Sequence, residues 1–312
     1  MEIGIIGFGK MGSRIAEKLL QEGHRVAGWN RSQDVLGGFK LIAQDKGLGD
    51  RFEAFAKVEE LIKFLTGTRV IWMMLPAGKP TDDMLEEVKK YIVTDDIIVD
   101  GGNAFFADTE RRYAQMSKIG VRYLGVGVSG GIIAEKEGYP LMVGGDKSAY
   151  EYIKPLLNSL AKPGGGYEYF GSGGAGHFVK MVHNGVEYGM MQAIGEGFGV
   201  LQKAKYNFDL VKVARLWQKG TIVDSFLIDR ATEALEKDAG LVDIVGEIAA
   251  TGEAEWTINE AKKEDVPVPV IEKSLDFRRQ SQADNRVKES FAAKMVAALR
   301  REFGGHAVKK RI

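Results

Sequence analysis

The chain has 312 residues, 45% of them hydrophobic and 28% charged, with 43 basic side chains against 43 acidic ones. That length allows one large domain or two ordinary ones, and the charge balance gives no reason to expect nucleic acid or an anionic membrane as partner. With no cysteine, disulfides, thiol nucleophiles and thiolate metal sites are excluded, and an intracellular setting is favoured.

The amino terminus, MEIGIIGFGKMG, reads as a strand inside the fold and not as a signal peptide. No segment approaches the ~20 apolar residues of a membrane span, so a soluble, cytoplasmic protein is expected. In chain order, apolar runs at 3–6, 25–29, 69–75, 97–100 and 121–126 read as strands. Residues 10–21, 58–65, 81–91 and 107–118 between them have helical spacing. Such alternation implies a parallel sheet wrapped on both faces. Runs at 141–145 and 167–170 add late strands, and from His177 onward the segments are helical. The expected fold is a Rossmann-type, doubly wound α/β domain over 1–172, followed by an all-α domain over 173–312. Glycine supplies 40 residues, about twice the usual ~7%, without a collagen period. Its role here is in tight turns.

The first such turn is GFGKMG at 7–12, placed between the first strand and the first helix. Gly7 permits the turn, Gly9 lets backbone approach a pyrophosphate, and Gly12 allows close packing of helix on strand. The helix amino terminus offers its dipole to phosphate. Phe8, Lys10 and Met11 complete the candidate cofactor loop. After the second strand comes WNRS, with Asn30, Arg31 and Ser32 where an NAD site usually has a carboxylate. An arginine there suits a 2′-phosphate, which favours NADP over NAD. Two later strands end in MMLPAG and VDGGN, placing Leu75, Pro76, Ala77 and Asn103 where ligands sit in open α/β sheets. Asn103 then falls near the nicotinamide, although an asparagine after two glycines also serves as a turn residue.

VGVSGG at 126–131 offers the Ser129 hydroxyl and the Gly130 and Gly131 amides beyond another strand. The segment GAGHFVKMVHNGVEYGMM at 174–191 then puts Lys180, His183, Asn184, Glu187 and Tyr188 at i, i+3, i+4, i+7 and i+8. They occupy a helical arc of about 140°. Phe178, Val179, Val182 and Val186 take the other side, where a buried back is expected. Gly185 and Gly189 each weaken a helix by about 1 kcal/mol, so a close neighbour is expected behind them. On spacing alone, a solvated stripe and a pocket wall are both admissible.

With VSGG, DGGN and the amino-terminal glycine turn, GAGHFVKMVHNGVEYGMMQ resembles 6-phosphogluconate dehydrogenase, the decarboxylating family, in its short form. The resemblance runs to FGGH at 303–306. It implies oxidative decarboxylation of 6-phosphogluconate to ribulose 5-phosphate and carbon dioxide with NADP or NAD and no metal, in the pentose phosphate pathway. Lys180 is then the general base, and Glu187 the acid that protonates C1 of the enediol. His183 and Asn184 assist them. Asn103, Ser129, Gly130, Gly131 and Tyr188 match substrate positions, and Arg278, 22 residues after Trp256, matches a phosphate-binding arginine. Arg300 and His306 match a tail pair that reaches the neighbouring subunit's active site, in a homodimer or homotetramer. One departure stands out. The long form has a lysine-bearing KGTGKW segment where this chain reads TGEAEW at 251–256, with Thr251 in the place of the phosphate-contacting lysine. The alternatives are another β-hydroxyacid dehydrogenase, acting on a 3-hydroxyisobutyrate-like substrate, and a non-catalytic NADP sensor.

Overall fold

The computed structural model describes residues 1–250, 252–305, 308 and 309. The chain divides into two compact units, Met1–Lys180 and Met181–Ile312.

The first unit is built on one eight-stranded sheet. Its strands are β1 Glu2–Ile6, β2 Arg25–Trp29, β3 Phe52–Ala54, β4 Val70–Met73, β5 Ile97–Asp100, β6 Arg122–Val128, β7 Leu141–Gly145 and β8 Tyr167–Tyr169, in the order β3-β2-β1-β4-β5-β6-β7-β8. The helices are α1 Lys10–Gln21, α2 Gln33–Asp45, α3 Val58–Phe64, α4 Lys79–Val88, α5 Phe106–Ser117, α6 Ala134–Glu137 and α7 Lys147–Leu160. The inner strands are continuous apolar runs because both sheet faces are covered. Alternate side chains feed different cores, as the two-residue period requires. Trp72 and Val99 join α1, α2 and α7 on one face, whereas Ile71 and Ile98 join α3, α4 and α5 on the other. Three features depart from the sequence expectation. The β6–β7 pair is antiparallel, so the sheet is not wholly parallel. β3 with α2 forms an added strand-helix unit, and α7 runs unbroken through Pro155.

Register decides where the loops emerge. Ile6 pairs with Met73, Met73 with Asp100, and Asp100 with Gly125. The carboxyl ends of β1, β4 and β5 are therefore level, and β6 runs three residues further, to Val128. The glycine turn, 74–78 and 101–105 all leave the sheet along one edge.

Among its described residues, the second unit's regular elements are all helices. It comprises most of α8 Ala175–Lys203, with α9 Leu210–Trp217, α10 Phe226–Lys237, α11 Glu253–Lys263, α12 Pro269–Ala283, α13 Asn285–Lys288 and α14 Phe291–Gly304. Its core gathers Tyr188, Met191 and Phe198 of α8 against α10 and α14. Between residues 180 and 190 of α8, several polar side chains are buried and several apolar ones exposed. Asn184 and Tyr188 are buried and Lys180 is 9% exposed, while Val182, Val186 and Met190 face outward, Val186 at 51%. The apolar side of α8 is thus not the buried back that the sequence implied. The close neighbour expected behind Gly185 is Thr257 of α11, whose hydroxyl also donates to the Met181 carbonyl at 2.9 Å.

Candidate active site

The glycine turn is tight because of its packing. A side chain at Gly12 would overlap the Gly7 carbonyl, and Gly7 itself holds a left-handed φ of 101°. Gly9, in contrast, has nothing within 4 Å of where a Cβ would stand. That open space lies at the start of α1, whose first-turn N–H groups have no partner inside the helix. These residues fit a dinucleotide pyrophosphate. The Phe8 ring is buried against Phe39 and Phe52, and its N–H donates to Asn30 Oδ1 at 2.9 Å. Phe8 therefore has no N–H left for phosphate. Asn30 is likewise committed, since its Nδ2 donates to the Ser32 carbonyl at 3.0 Å. It ties the glycine turn to the end of β2. Arg31 and Ser32 beside it are exposed.

Leu75, Pro76 and Ala77 follow β4, and Thr81 donates to the Pro76 carbonyl at 2.8 Å, which closes that loop onto α4. Asn103 is exposed at the end of the DGGN loop. Beneath it lies a fully buried polar network that sequence reasoning missed. Asp100 accepts from the Gly102 N–H at 3.3 Å, from Arg112 at 3.2 Å and from the Tyr123 hydroxyl at 2.9 Å. Arg112 also donates to Asp82 at 2.8 Å and to the Gly78 carbonyl at 3.1 Å. One guanidinium thus joins the 74–78 loop to the DGGN loop. Burial opposes its charge, but Asp82 and Asp100 outweigh that effect and hold its pKa above the ordinary arginine value.

Lys180 is placed by glycines. On β6, alternate residues Gly125 and Gly127 face the first turns of α8. A side chain at Gly127 would overlap Lys180, and one at Gly125 would stand 2.9 Å from the His177 ring. Helix and strand therefore meet backbone to side chain, which sets Lys180 beside the end of the strand that continues into Ser129, Gly130 and Gly131. Both of these last glycines take left-handed φ values. Ser129 is fixed through its own N–H, which donates to the Pro140 carbonyl at 2.9 Å. His177, another residue sequence reasoning passed over, is buried with Nδ1 2.7 Å from the Thr109 hydroxyl. Burial lowers its pKa, so its imidazole is neutral at neutral pH.

In the helical unit, His183 Nδ1 lies 3.0 Å from Asn184 Oδ1 and 3.9 Å from the Glu187 carboxylate. Tyr188 lies beneath Arg278, whose guanidinium carbon is 3.2 Å from the ring centroid. Arg278 is 2% exposed and donates to the Ala249 carbonyl at 3.4 Å. Its neighbour Arg279 is exposed and paired with Glu255, which resolves the register that the sequence left open. Burial pushes the Arg278 pKa down to about 10, helped by the charge of Arg300. Arg300 is also buried, and burial lowers it too, against the pull of Tyr188, Glu187 and Glu253. Thr251 and His306 lie outside the described residues.

Two family models account for this arrangement. Residues 2–174 match the NAD binding domain of 6-phosphogluconate dehydrogenase, and residues 176–310 match the C-terminal domain of the same enzyme. The chain belongs to the 6-phosphogluconate dehydrogenase family. It is an oxidoreductase with a nicotinamide dinucleotide domain. A Bacillus subtilis protein whose 6-phosphogluconate dehydrogenase name is itself provisional is 40% identical over the whole of both chains. The NAD(+)-dependent, decarboxylating 6-phosphogluconate dehydrogenase of Haloferax volcanii is 37% identical, over 100% of this chain and 99% of its own. Longer members are similar as well. The Plasmodium falciparum 6-phosphogluconate dehydrogenase structure superposes with a TM-score of 0.83 at 33% identity, covering 90% of this chain and 62% of its own. A Mycobacterium tuberculosis 3-hydroxyisobutyrate dehydrogenase shares the fold, with a TM-score of 0.72 at 20% identity.

Proposed function

We propose that the protein oxidises and decarboxylates 6-phosphogluconate to ribulose 5-phosphate and carbon dioxide, as a cytoplasmic enzyme of the pentose phosphate pathway. The observation that carries this reading is the burial of Lys180 and Asn184 on α8, where Val182, Val186 and Met190 face out instead. Lys180, buried against Gly127 of β6, is placed to serve as the general base. When bound, the nicotinamide supplies the hydride acceptor. Lys180 removes the C3 hydroxyl proton as C3 is oxidised to a ketone. The C1–C2 bond then breaks, carbon dioxide leaves, and its electron pair passes into the ketone to give an enediol. Lys180 returns its proton to that oxygen; Glu187 then protonates the former C2 while Lys180 takes the hydroxyl proton back, which leaves the ketose. His183, hydrogen-bonded to Asn184 and near Glu187, orients the acid. Asn103, Ser129, Gly130, Gly131 and Tyr188 hold the sugar chain.

The division of labour follows the domains: 1–172 holds the dinucleotide and 173–312 supplies substrate groups and subunit contacts. Arg31, exposed and without a carboxylate at Asn30 or Ser32, supports NADP as the preferred cofactor. Relatives named for either cofactor occur in the family, and parallel kcat/KM measurements with NADP and NAD settle the choice. A tenfold advantage for NAD would remove the role given to Arg31. A homodimer or homotetramer is supported by the exposed row Val182, Val186, Met190 and Val200, which a second copy would cover. Lys180→Ala should lower kcat by at least about 1000-fold while cofactor binding, followed by fluorescence, stays within about twofold. A nearly normal rate would reject Lys180 as the base.

A further inference from the structure

We propose that Arg14 and Glu135 are positioning residues. Their ion pair holds the 129–140 loop, which carries Ser129, Gly130 and Gly131, in register with the dinucleotide turn. The role of that loop in holding substrate rests on the function proposed above; the contact between loop and helix does not.

The loop connects β6 to β7, an antiparallel pair. Its base is fixed. The Ser129 N–H donates to the Pro140 carbonyl at 2.9 Å, and the N–H of the fully buried Tyr139 donates to the Leu160 carbonyl at 2.8 Å. Its interior closes on itself, since a side chain at Gly130 would overlap Ala134 and the Gly138 N–H returns to the Ala134 carbonyl at 2.8 Å. These contacts give the loop its shape without setting its tilt against α1.

Glu135 sets that tilt. It stands on the single turn α6, and its Oε2 accepts from Arg14 Nε at 2.8 Å. Arg14 also donates from Nη1 to the Lys10 carbonyl at 2.8 Å, in the first turn of α1. One guanidinium therefore joins the helix turn that follows Gly9 to the loop that follows Ser129. α1 is the fixed partner, because Gly12 packs on the Gly7 carbonyl and Ile15, Ala16 and Leu19 are fully buried. The loop is the follower. The two side chains are 31% and 28% exposed, so the pair is shielded more than one in open solvent, whose worth is small. Burial raises the pKa of the Tyr139 hydroxyl, and the charges of Glu135 and Arg14 reach it, which puts the pair beside the loop's buried base. Neither group is asked to touch substrate or to move a proton. Their work is to keep a sugar held by Ser129, Gly130 and Gly131 at the right distance from a cofactor held at Gly9, where a small misplacement is costly.

A double-mutant cycle on the whole protein tests this. Glu135→Gln and Arg14→Met should each lower kcat/KM for 6-phosphogluconate by about 3- to 10-fold. In Glu135→Gln the dissociation constant for NADP, followed by fluorescence, should stay within about twofold, and Tm within about 3 °C. The double variant should lose no more than either single one, because the two groups act as a unit. A wild-type kcat/KM in Glu135→Gln, or losses that multiply in the double variant, would overturn the proposal. Hydrogen exchange on the ligand-free protein reads the loop apart from catalysis. The amides of 130–138 should exchange about 3- to 10-fold faster in Glu135→Gln, with those of 10–20 unchanged. Unaltered exchange at 130–138 would also overturn the proposal, whereas failure of the wild type to oxidise 6-phosphogluconate would strike only the proposed reaction.

Discussion

Arg112 in the dinucleotide unit and Arg278 in the helical unit are both buried, but their charges are treated in opposite ways. Arg112 meets Asp82 and Asp100 at hydrogen-bond distance, and its pKa is raised. Arg278 meets a carbonyl and a tyrosine face, and burial drives its pKa down to about 10. A buried charge is tolerated when something pairs with it. Where the chain provides the partner, the arginine belongs to the architecture and pins two loops at the sheet edge. Where the chain withholds it, the fold accepts a lasting cost at that position, and a ligand is the partner that remains.

The comparison can be broken most forcefully at Arg112. Arg112→Met leaves Asp100 buried and uncompensated, and stability measured by denaturant unfolding should fall by about 3–5 kcal/mol. A loss below about 1 kcal/mol would mean that the pair does not secure the loops. Arg278→Met should behave in the opposite way. It removes a charge the fold holds unpaired, so stability should be unchanged or higher by about 1–3 kcal/mol, while the KM for 6-phosphogluconate rises about 10- to 100-fold. A variant that loses stability and keeps its KM would make Arg278 a structural residue like Arg112.

His177 gives a smaller effect and a sharper sign. Its folded pKa lies below the ordinary 6.5 because burial disfavours the imidazolium. The unfolded chain therefore binds the extra proton first. This group's contribution to stability is intact above pH 6.5 and is lost as the pH falls below it. His177→Gln should flatten the acid limb of unfolding free energy against pH by up to about 1.4 kcal/mol per pH unit. An unchanged limb would mean that another group sets it.

The sequence carried the dinucleotide half best, because its signals are local. GFGKMG, the apolar strands and the loops after β4, β5 and β6 are each legible within a dozen residues. α2 was not legible, since Gly37 and Gly38 interrupt it and Leu41 and Ile42 face solvent. β3 is only three residues long, and Pro155 masked α7. The doublets Arg111-Arg112 and Arg278-Arg279 show a different limit. In each, one arginine is buried and one exposed, and only tertiary packing tells them apart. Gly125 and Gly127 did carry a signal, two glycines alternating on a buried strand, which marks close approach of another backbone. The outward turn of Val182 and Val186 had none. A stretch that buries Lys180, Asn184 and Tyr188 while Val182 and Val186 face out departs from the rule on which periodicity is read.

The most direct measurement of the central claim is the stoichiometry of carbon dioxide to reduced nicotinamide with 6-phosphogluconate as substrate. One carbon dioxide released for each cofactor reduced, with neither formed from 3-hydroxyisobutyrate, is the result expected. Cofactor reduction without carbon dioxide, or turnover of 3-hydroxyisobutyrate in its place, would contradict it.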